Sequence, residues 1–480
     1  MKNSSISGVV ILAAGLGKRM HSALPKVLNE VGGKPLIFHI LQRLQQTLPK
    51  IPIAVVVGHG REAVEAFIRA EPLFRDLALQ FIVQPEQRGT GHAARCAMDS
   101  DWGQARVREK GAILVLPGDF PLISGALLEQ ITQPLKSKEG VRLLTCELSD
   151  PYGYGRVIRR GARGAVLRIV EEKDLKGARE AAVREVAVSI YLFQAEFFQI
   201  ALRKLSQNNA QGEYYLTDVI GQAVRAKKQI PVLIWKNTED LRGINDPWEL
   251  AQAARVVNER TVRAWAQKGV RFLDSESVRI DVTVQLSQGV VLHPGVILRG
   301  QTQIQAGAEI GPRVVLKDVQ VGEGAYLKTG TVAEEAVVGA QAQIGPYAHL
   351  RPHSRIGARV KIGNFVETKN SVIHEDTSIA HLSYVGDAVV GRNVNIGCGF
   401  ITCNFDGRII DGKRKHQTIV EDDVFLGSDC QVVAPIKIGQ GAYVASGSTL
   451  TQDVPPHDLA IARARQINKA GYAKTLRQKK

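Results

Sequence analysis

Residues 280–316 read IDVTVQLSQGVVLHPGVILRGQTQIQAGAEIGPRVVL, and this stretch decides the fold of the second half of the chain. A helix face repeats every 3.6 residues and an amphipathic strand alternates at two throughout its length, so neither describes the pattern. A repeat of six residues is typical of a parallel β-helix, in which each repeat forms one short strand. The aliphatic residues that carry the repeat are Ile280, Leu286, Leu292, Leu298, Ile304, Ile310 and Leu316.

The same period returns twice further along the chain. It recovers after a slip at Val338, Ile344, Leu350, Ile356 and Ile362, and again at Leu426, Val432, Ile438, Val444 and Leu450. Several of these residues are followed by glycine, which lets the chain turn a tight corner. The pattern predicts a β-helix of hexapeptide repeats over residues 270–456, followed by a tail at 457–480.

The first half of the chain has a different pattern. Four short aliphatic runs lie at 9–12, 53–57, 80–83 and 113–116, with helical segments between them. Alternation of this kind predicts an α/β domain with a mostly parallel, Rossmann-like sheet, whose ligands bind beyond the carboxyl ends of the strands. We expect this domain to span residues 1–246 and a linker helix to span 247–269.

Charge and cysteine content narrow the class of protein. The formal net charge of +15 is compatible with nucleic acid, an anionic membrane surface or small anionic substrates. No nucleic-acid motif accompanies the charge and no apolar run could span a bilayer, so we expect neither nucleic acid nor membrane insertion. Free thiols in a reducing, cytoplasmic compartment are expected at the five cysteines, which lack metal-site spacing: Cys96, Cys146, Cys398, Cys403 and Cys430.

A glycine turn follows the first predicted strand. Gly15 and Gly17 permit exposed backbone N–H groups, which suit a phosphate. Taken alone, such a turn is more often an ordinary strand-to-helix connection. Arg19 and Lys26 follow closely, and two cations beside the turn can neutralise a triphosphate as it reacts.

Several motifs together resemble a known family. The first half carries LAAG-x-G-x-R-M at 12–20, GDFPL at 118–122 and the segments 84–93, 154–156, 169–174 and 209–218, which resemble sugar-phosphate nucleotidyltransferases. The second half carries acetyltransferase-like motifs at 344–352, 363–369, 380–387, 393–397 and 401–407. From about Val9 to Gly471 the chain resembles the family of bifunctional N-acetylglucosamine-1-phosphate uridylyltransferase/glucosamine-1-phosphate acetyltransferases, whose β-helix is left-handed.

The resemblance implies a uridylyl-transfer site in the first domain. Arg19 and Lys26 would be catalytic cations, and Asp119 and Asn245 would hold Mg²⁺, which needs few protein ligands. The alternatives are a helix N-cap for Asp119 and a plain turn residue for Asn245. The residues implied to bind UTP and the UDP-sugar are Leu12, Ala13, Ala14, Gly15, Lys26, Gln84, Gly89, Thr90, Gly118, Gly155 and Glu171.

It also implies an acetyl-transfer site in the β-helix. His381 would take a proton from the amine of glucosamine-1-phosphate as that amine attacks acetyl-CoA. The sugar phosphate would be bound by Arg351, Lys369, Tyr384 and Asn395. Acetyl-CoA would be bound by Cys398, Asn404, Phe405, Ser428, Ser446 and Arg463. Family members complete this site with a neighbouring chain, which implies a homotrimer.

The chain departs from the family pattern at a few positions. Ala187-Val188-Ser189 stands where Asn-Thr-Gly is common, and Pro117 replaces a Tyr. The segment 408–417 is longer than usual, and its Lys413, Arg414 and Lys415 compete for one basic role. The expected function is acetyl transfer followed by uridylyl transfer, giving UDP-N-acetylglucosamine. An acetyltransferase with a degenerate first domain and a non-catalytic scaffold are the alternatives.

Overall fold

The computed structural model describes residues 5–161, 164–407, 409, 412 and 414–477. Internal contacts divide the chain into two compact units, Met1–Val257 and Asn258–Lys480. A helix spans Pro247–Gln267, within the segment predicted as a linker. The predicted domain boundaries at 246, 269 and 456 stay predictions. Arg408 and Lys413, both in the long segment 408–417, lie outside the described residues.

The first unit is an α/β domain. Its strands are β1 Ile6–Leu12, β2 Glu30–Val31, β3 Lys34–Pro35, β4 Ile53–Val57, β5 Leu79–Val83, β6 Ala112–Pro117, β7 Val141–Glu147, β8 Gly155–Arg159, β9 Val166–Val170, β10 Glu185–Gln194 and β11 Val232–Ile234. Its helices are α1 Leu36–Thr47, α2 Arg61–Ala70, α3 Thr90–Asp99, α4 Asp101–Arg108, α5 Gly125–Ile131, α6 Ala178–Ala181, α7 Ala195–Leu202 and α8 Asp218–Arg225; α9 Pro247–Gln267 follows them.

The main sheet has the order β11-β7-β10-β6-β1-β4-β5, and β8 and β9 extend it beside β10. Strand β1 runs parallel to β4 and to β6, so the carboxyl ends of these strands lie at one edge. All five residues of β4 are buried, as expected for a strand covered on both faces. Strand β10 is antiparallel, and its register shifts between Ala187 and Tyr191. The predicted Rossmann-like sheet is confirmed.

The second unit is a β-helix with three faces of stacked parallel strands. The first face contains Arg271–Phe272, Val291–Leu292, Glu309–Ile310, Tyr326–Leu327, Gln343–Ile344, Lys361–Asn364, Ser378–His381, Asn395–Ile396, Phe425–Leu426, Tyr443–Val444 and Leu459–Ala460. The second contains Arg279–Ile280, Ile297–Arg299, Val315–Lys317, Val332–Glu334, His349–Leu350, Glu367–Lys369, Tyr384–Gly386, Ile401–Cys403, Gln431–Val433 and Thr449–Leu450. The third contains Gln285–Leu286, Gln303–Ile304, Gln320–Val321, Val337–Val338, Arg355–Ile356, Val372–Ile373, Ala388–Val390, Thr418–Val420 and Ile436–Ile438.

The strand register explains both the repeat and its slips. Ile297 pairs with Val315, 18 residues later, which is three repeats of six. On the next face Gln303 pairs with Gln320, only 17 residues later, so one corner has lost a residue and the period shifts. The aliphatic side chains of the repeat point inward and are buried. The left-handed β-helix predicted from the repeat and the family motifs is confirmed.

One coil of the β-helix is much longer than the others. Ala388 pairs with Thr418, 30 residues later, whereas neighbouring coils close in 17 or 18. The extra length lies within the segment after the strand Ile401–Cys403. The β-helix therefore absorbs this insertion at one corner while keeping the ladder of strands continuous on all three faces.

Two further expectations concern cysteines and membranes. All five cysteines are free thiols, as predicted. Among the residues that the structure describes, no helix combines the length and the apolar character that crossing a membrane requires. A short terminal helix, α10, spans Tyr472–Arg477 in the basic tail.

Candidate active sites

A cleft of about 690 Å³ opens at the carboxyl ends of β1 and β6 in the first unit. Most of the residues predicted to bind UTP, sugar and metal line it: Leu12, Ala13, Ala14, Gly15, Lys26, Gln84, Gly89, Thr90, Asp119, Gly155, Glu171 and Asn245. Gly118 lies beside the cleft, where its N–H donates to the Leu12 carbonyl oxygen at 2.8 Å. Arg19 contacts Asn245. The structure thus brings every predicted residue of this site together.

The glycine turn shapes the entrance to this cleft. Gly17 has a φ of 60°, in the left-handed region that favours glycine. A Cβ atom at Gly17 would also lie only 2.7 Å from the Cβ atom of Lys26, so glycine lets the Lys26 backbone approach the turn. A Cβ atom at Gly15 would meet no atom within 4 Å, because Gly15 faces open space. The two glycines therefore differ in role: Gly17 permits the turn and Gly15 keeps room for a ligand.

Four charged and polar side chains converge beside that turn. The Lys26 ammonium forms an ion pair with Asp119 and donates to Asn245 Oδ1 at 2.9 Å. Arg19 Nη2 donates to the same Asn245 oxygen at 3.1 Å. The Lys26 and Asp119 side chains are only 14% and 16% exposed. A carboxylate and an amide oxygen that approach one cation are a suitable donor set for Mg²⁺.

The structure shows which residues cap the helices that follow the two predicted metal ligands. Ser124, not Asp119, caps the next helix, α5, by accepting from the Leu127 N–H. At the start of α9, Asp246 Oδ1 accepts from the Glu249 N–H at 2.8 Å. Asp119 is therefore not the cap of α5, and Asp246 rather than Asn245 caps the start of α9; metal binding by Asp119 and Asn245 stays a prediction.

The opposite end of the cleft carries the predicted base-binding residues. Gln84 is almost completely buried, and its amide nitrogen donates to the Gly89 carbonyl oxygen at 3.2 Å. The Thr90 hydroxyl oxygen accepts from the Leu216 N–H at 3.2 Å. These contacts fix the loop before α3 in one conformation, with Gln84 held against it. The arrangement suits recognition of a planar base by a preformed edge of amide and backbone groups.

Sugar-side residues lie around Glu171. The Thr217 hydroxyl donates to Glu171 Oε1 at 2.8 Å. Burial raises the pKa of Glu171, while the Thr217 hydrogen bond opposes that rise and Asp218 and Asp174 add to it. Sequence reasoning assigned no role to Thr217, although Thr217 lies in the NAQGEYYLTD motif at 209–218. Ala187 and the two residues after it also line this part of the cleft, as does Pro117.

In the β-helix, His381 ends a strand of the first face. Its Nδ1 lies 2.5 Å from Asn364 Oδ1 on the coil below. An amide oxygen can only accept, so Nδ1 carries a proton when it bonds to Asn364 Oδ1, and in the neutral ring the lone pair is then on Nε2. His381 is exposed, so this lone pair is accessible to a substrate amine. Asn364 was quoted in the motif at 363–369 but received no role from sequence reasoning.

Polar residues for a sugar phosphate lie on the second face. Arg351 Nη1 donates to Glu367 Oε1 at 2.6 Å, and this hydrogen bond raises the pKa of Arg351. Lys369 ends the strand that contains Glu367, and Tyr384 lies directly above Glu367 in register. Asn404 Nδ2 is 3.4 Å from the Tyr384 hydroxyl oxygen. Asn404, predicted for acetyl-CoA, therefore lies on the sugar-phosphate side.

Four of the residues predicted to bind acetyl-CoA form a line along the corner between the first and second faces: Cys398, Ser428, Ser446 and Arg463. Ser428 and Cys398 lie on successive coils, with the Asp429 N–H donating to the Cys398 carbonyl oxygen at 2.6 Å. One coil further, the Gly447 N–H donates to the Ser428 carbonyl oxygen at 2.9 Å. Arg463 Nη1 then donates to the Ser446 carbonyl oxygen at 2.9 Å. His381 lies at the lower end of this line, since the Ser383 hydroxyl contacts both the His381 and Gly397 carbonyl oxygens.

Two predicted residues lie apart from these groups. Asn395 lies on the first face, where it pairs with Phe425, whereas Tyr384 lies on the second face. Because they lie on different faces, the β-helix does not bring Asn395 and Tyr384 side by side. Phe405 is 59% exposed, and the Lys415 ammonium lies 5.7 Å from the centre of its ring. Of Arg414 and Lys415, the two members of the basic trio that the structure describes, Lys415 contacts a residue predicted to bind acetyl-CoA.

Comparison with known proteins agrees with this two-site architecture. Residues 9–186 match the MobA-like NTP transferase domain, and residues 332–455 match the GMPPB C-terminal domain. Solved structures similar to about half of the chain include a putative glucose-1-phosphate thymidylyltransferase from Bacillus anthracis (19% identity, 52% of this chain and 94% of that chain, TM-score 0.40). Another is UDP-glucose pyrophosphorylase in complex with UDP-glucose (15% identity, 53% and 99%, TM-score 0.42).

Full-length relatives are much closer. The chain is 44% identical to a protein of Syntrophotalea carbinolica over 97% of this chain and 96% of the relative. It is 42% identical to one of Trichlorobacter lovleyi over 98% of each chain. A protein of Streptomyces avermitilis is 43% identical over 97% of this chain and 94% of its own length. Each of these relatives is named bifunctional protein GlmU.

Fold and sites together define a two-unit transferase, with a nucleotidyltransferase unit followed by a hexapeptide-repeat acyltransferase unit. Within that class, the chain belongs to the bifunctional GlmU family. It is a uridylyltransferase and acetyltransferase of UDP-N-acetylglucosamine synthesis, as the motifs predicted. Because the relatives match across both units, and the phosphate-side residues of the first unit are present together, a degenerate first domain and a scaffold are not favoured.

Proposed function

We propose that uridylyl transfer takes place in the cleft of the first unit. A phosphate oxygen of N-acetylglucosamine-1-phosphate attacks the α-phosphorus of UTP, and pyrophosphate leaves. Phosphoryl-type transfer depends mainly on positioning and on neutralising charge at the phosphate oxygens. The observation that carries the proposal is the convergence of Arg19, Lys26, Asp119 and Asn245 beside the glycine turn.

The proposed division of labour follows from this geometry. Arg19 and Lys26 neutralise the triphosphate, while Gln84, Gly89 and Thr90 hold the base. Asp119 and Asn245 hold Mg²⁺, which supplies Lewis-acid stabilisation of the phosphate oxygens when bound. With a ligand in place, the Lys26 ammonium is free to turn from Asp119 towards the phosphates. The sugar is bound by Glu171 with the Gly155 backbone, and the remaining UTP contacts come from Leu12, Ala13, Ala14, Gly15 and Gly118.

Acetyl transfer is proposed at the corner of the β-helix. His381 Nε2 accepts a proton from the amine of glucosamine-1-phosphate as the amine attacks the thioester carbonyl of acetyl-CoA. The amine nitrogen forms the amide bond, the carbon–sulfur bond breaks and coenzyme A leaves as the thiol. Asn364 supports this step because its oxygen fixes the ring proton on Nδ1. Acetyl-CoA follows the line of Cys398, Ser428, Ser446 and Arg463 from His381, with Phe405 and Lys415 nearby.

A homotrimer would complete this second site. Asn395 lies on the first face and Tyr384 on the second, so a sugar phosphate bound to Arg351, Lys369 and Tyr384 would meet Asn395 most readily from another copy. The separation of Asn395 from Tyr384 therefore supports a sugar-phosphate site that a neighbouring chain completes, as in the family. We also propose a cytoplasmic location, where UTP, acetyl-CoA and reduced thiols are available.

Removing the Lys369 charge tests the proposed sugar-phosphate site. Hydrogen bonds to charged groups contribute about 1.5–3 kcal/mol. Lys369→Gln is therefore expected to raise the KM for glucosamine-1-phosphate roughly 10- to 150-fold while the KM for acetyl-CoA changes little. Thiol release measured against each substrate in turn gives both constants.

Lys361→Gln is the matched control, since Lys361 is an exposed cation on the first face, whereas Lys369 ends a strand of the second face. Its kinetic constants should equal those of the wild type. An unchanged KM for glucosamine-1-phosphate in Lys369→Gln, or an equal rise in both variants, would remove Lys369 from the proposed site.

A further inference from the structure

The sugar-facing part of the first cleft lacks an expected polar group. Ala187 lines the cleft and offers no side-chain donor or acceptor. Two residues later, Ser189 also lines the cleft and is partly exposed to it. Because both residues belong to β10, the local path of this strand decides which of them can reach a ligand.

Strand β10 is irregular at this position. Its pairing with β7 runs through Ala187, breaks, and resumes at Tyr191 with a shifted register. Ser189 lies inside the break and has a φ of 57°, in the left-handed region. A non-glycine residue there is strained, and such strain in a ligand-binding cleft suggests that a functional contact maintains it. The bulge turns residue 189 towards the cleft instead of into a regular ladder.

A buried hydroxyl lies next to Ser189. Tyr191 is completely buried, and its hydroxyl oxygen has no partner in hydrogen-bonding geometry among the described residues. Burial raises the pKa of Tyr191; the Glu171 carboxylate adds to that rise and the adjacent Ser189 hydroxyl opposes it. Ser189 and Glu171, which both line the cleft, are therefore the groups that act on the buried Tyr191 hydroxyl.

A serine hydroxyl has one proton to donate and two lone pairs to accept. If the Tyr191 hydroxyl donates to Ser189 Oγ, the Ser189 proton is left to point into the cleft. Hydrogen bonds in such a chain strengthen one another in a buried setting. The acceptor that N-acetylglucosamine-1-phosphate offers, and that a plain hexose-1-phosphate lacks, is its acetamido oxygen.

Building on the proposed uridylyl transfer, we propose that Ser189 is the specificity-determining residue for the acetamido group, with Tyr191 as its positioning residue. Ser189 donates to the acetamido oxygen and replaces the contact that an amide at position 187 would have made. Tyr191 touches no substrate; its hydroxyl orients the Ser189 proton. The strain at residue 189 is maintained because the hydroxyl is needed at that place.

Two substitutions at residue 189 separate the contact from the backbone strain. One neutral hydrogen bond contributes about 0.5–1.5 kcal/mol. Ser189→Ala should therefore lower kcat/KM for N-acetylglucosamine-1-phosphate roughly two- to twelve-fold. Ser189→Gly also removes the hydroxyl but relieves the strained φ, so it should lose the same activity while its unfolding temperature rises. Glucose-1-phosphate, which lacks the acetamido group, should react equally well with all three proteins.

Tyr191→Phe tests the positioning role. Removing this buried hydroxyl while keeping the ring should change the unfolding temperature little, whereas kcat/KM for N-acetylglucosamine-1-phosphate should fall, by less than in Ser189→Ala. A purely structural role would not lower activity while preserving stability. Thiol release in the acetyl-transfer assay should be the same in every variant.

The outcomes separate this proposal from the proposed function. Wild-type kcat/KM in Ser189→Ala or Ser189→Gly would overturn the contact, and so would an equal loss with both sugar phosphates. Wild-type activity in Tyr191→Phe would overturn the positioning role. If the wild-type protein released no pyrophosphate with N-acetylglucosamine-1-phosphate at all, the proposed uridylyl transfer itself would fail.

Discussion

His381→Ala is expected to slow thiol release from acetyl-CoA by about 10²–10⁴-fold, the usual contribution of a general base. The expected loss follows from the immediate surroundings of His381. His381 Nε2 keeps an accessible lone pair because Asn364 holds the ring proton on Nδ1. Pyrophosphate release from UTP and N-acetylglucosamine-1-phosphate should stay at the wild-type rate, since the described residues that line the cleft all belong to the first unit.

A second histidine of the β-helix provides the control. His374 follows a strand of the third face, away from the corner that carries His381. His374→Ala should retain both activities, which excludes a general effect of losing an imidazole from this unit. Thiol release at the wild-type rate in His381→Ala would show that another group accepts the amine proton.

Asp119→Asn is expected to abolish uridylyl transfer while preserving the shape of the side chain. Metal stabilisation of phosphate oxygens is worth several kcal/mol, so pyrophosphate release should fall by at least about 10²-fold. EDTA should have the same effect on the wild-type protein. Thiol release should continue in both experiments, because the proposed acetyl transfer uses His381 and no metal.

Asp101→Asn is the matched control, since Asp101 is an exposed carboxylate in the first turn of α4. It should leave pyrophosphate release unchanged. If the wild-type protein released pyrophosphate at full rate in EDTA, neither Asp119 nor Asn245 would have a role as a metal ligand, and the ion pair between Lys26 and Asp119 would be the functional arrangement.

The β-helix could be predicted from the sequence because its period differs from those of helices and ordinary strands. The period alone could not explain why the six-residue repeat is interrupted. Corners that lose one residue shorten a coil from 18 to 17, as at Gln303 and Gln320. Interior positions that hold threonine also hide the pattern: Thr368 is fully buried, and its hydroxyl donates to Ser354 Oγ at 2.9 Å.

Motifs identified the side chains most directly involved in chemistry, but not the residues that orient them. The structure groups Lys26, Asp119 and Asn245, although more than 90 residues separate the first two along the chain. Asn364, which fixes the His381 tautomer, escaped notice because its contact runs between coils. Ser189 stood out in the sequence only as a departure from the family pattern, because its left-handed backbone conformation is visible only in the structure.

The central claim is that one chain performs both reactions in sequence, and one assay of the wild-type protein tests it. Glucosamine-1-phosphate, acetyl-CoA, UTP and Mg²⁺ are mixed with the protein, and free thiol and pyrophosphate are followed separately. We expect thiol release to begin at once and pyrophosphate release to follow after a lag, as the acetylated sugar phosphate accumulates. Without acetyl-CoA, neither product should appear. Thiol release without pyrophosphate would contradict the claim in favour of an acetyltransferase alone, and the absence of both products would indicate a scaffold.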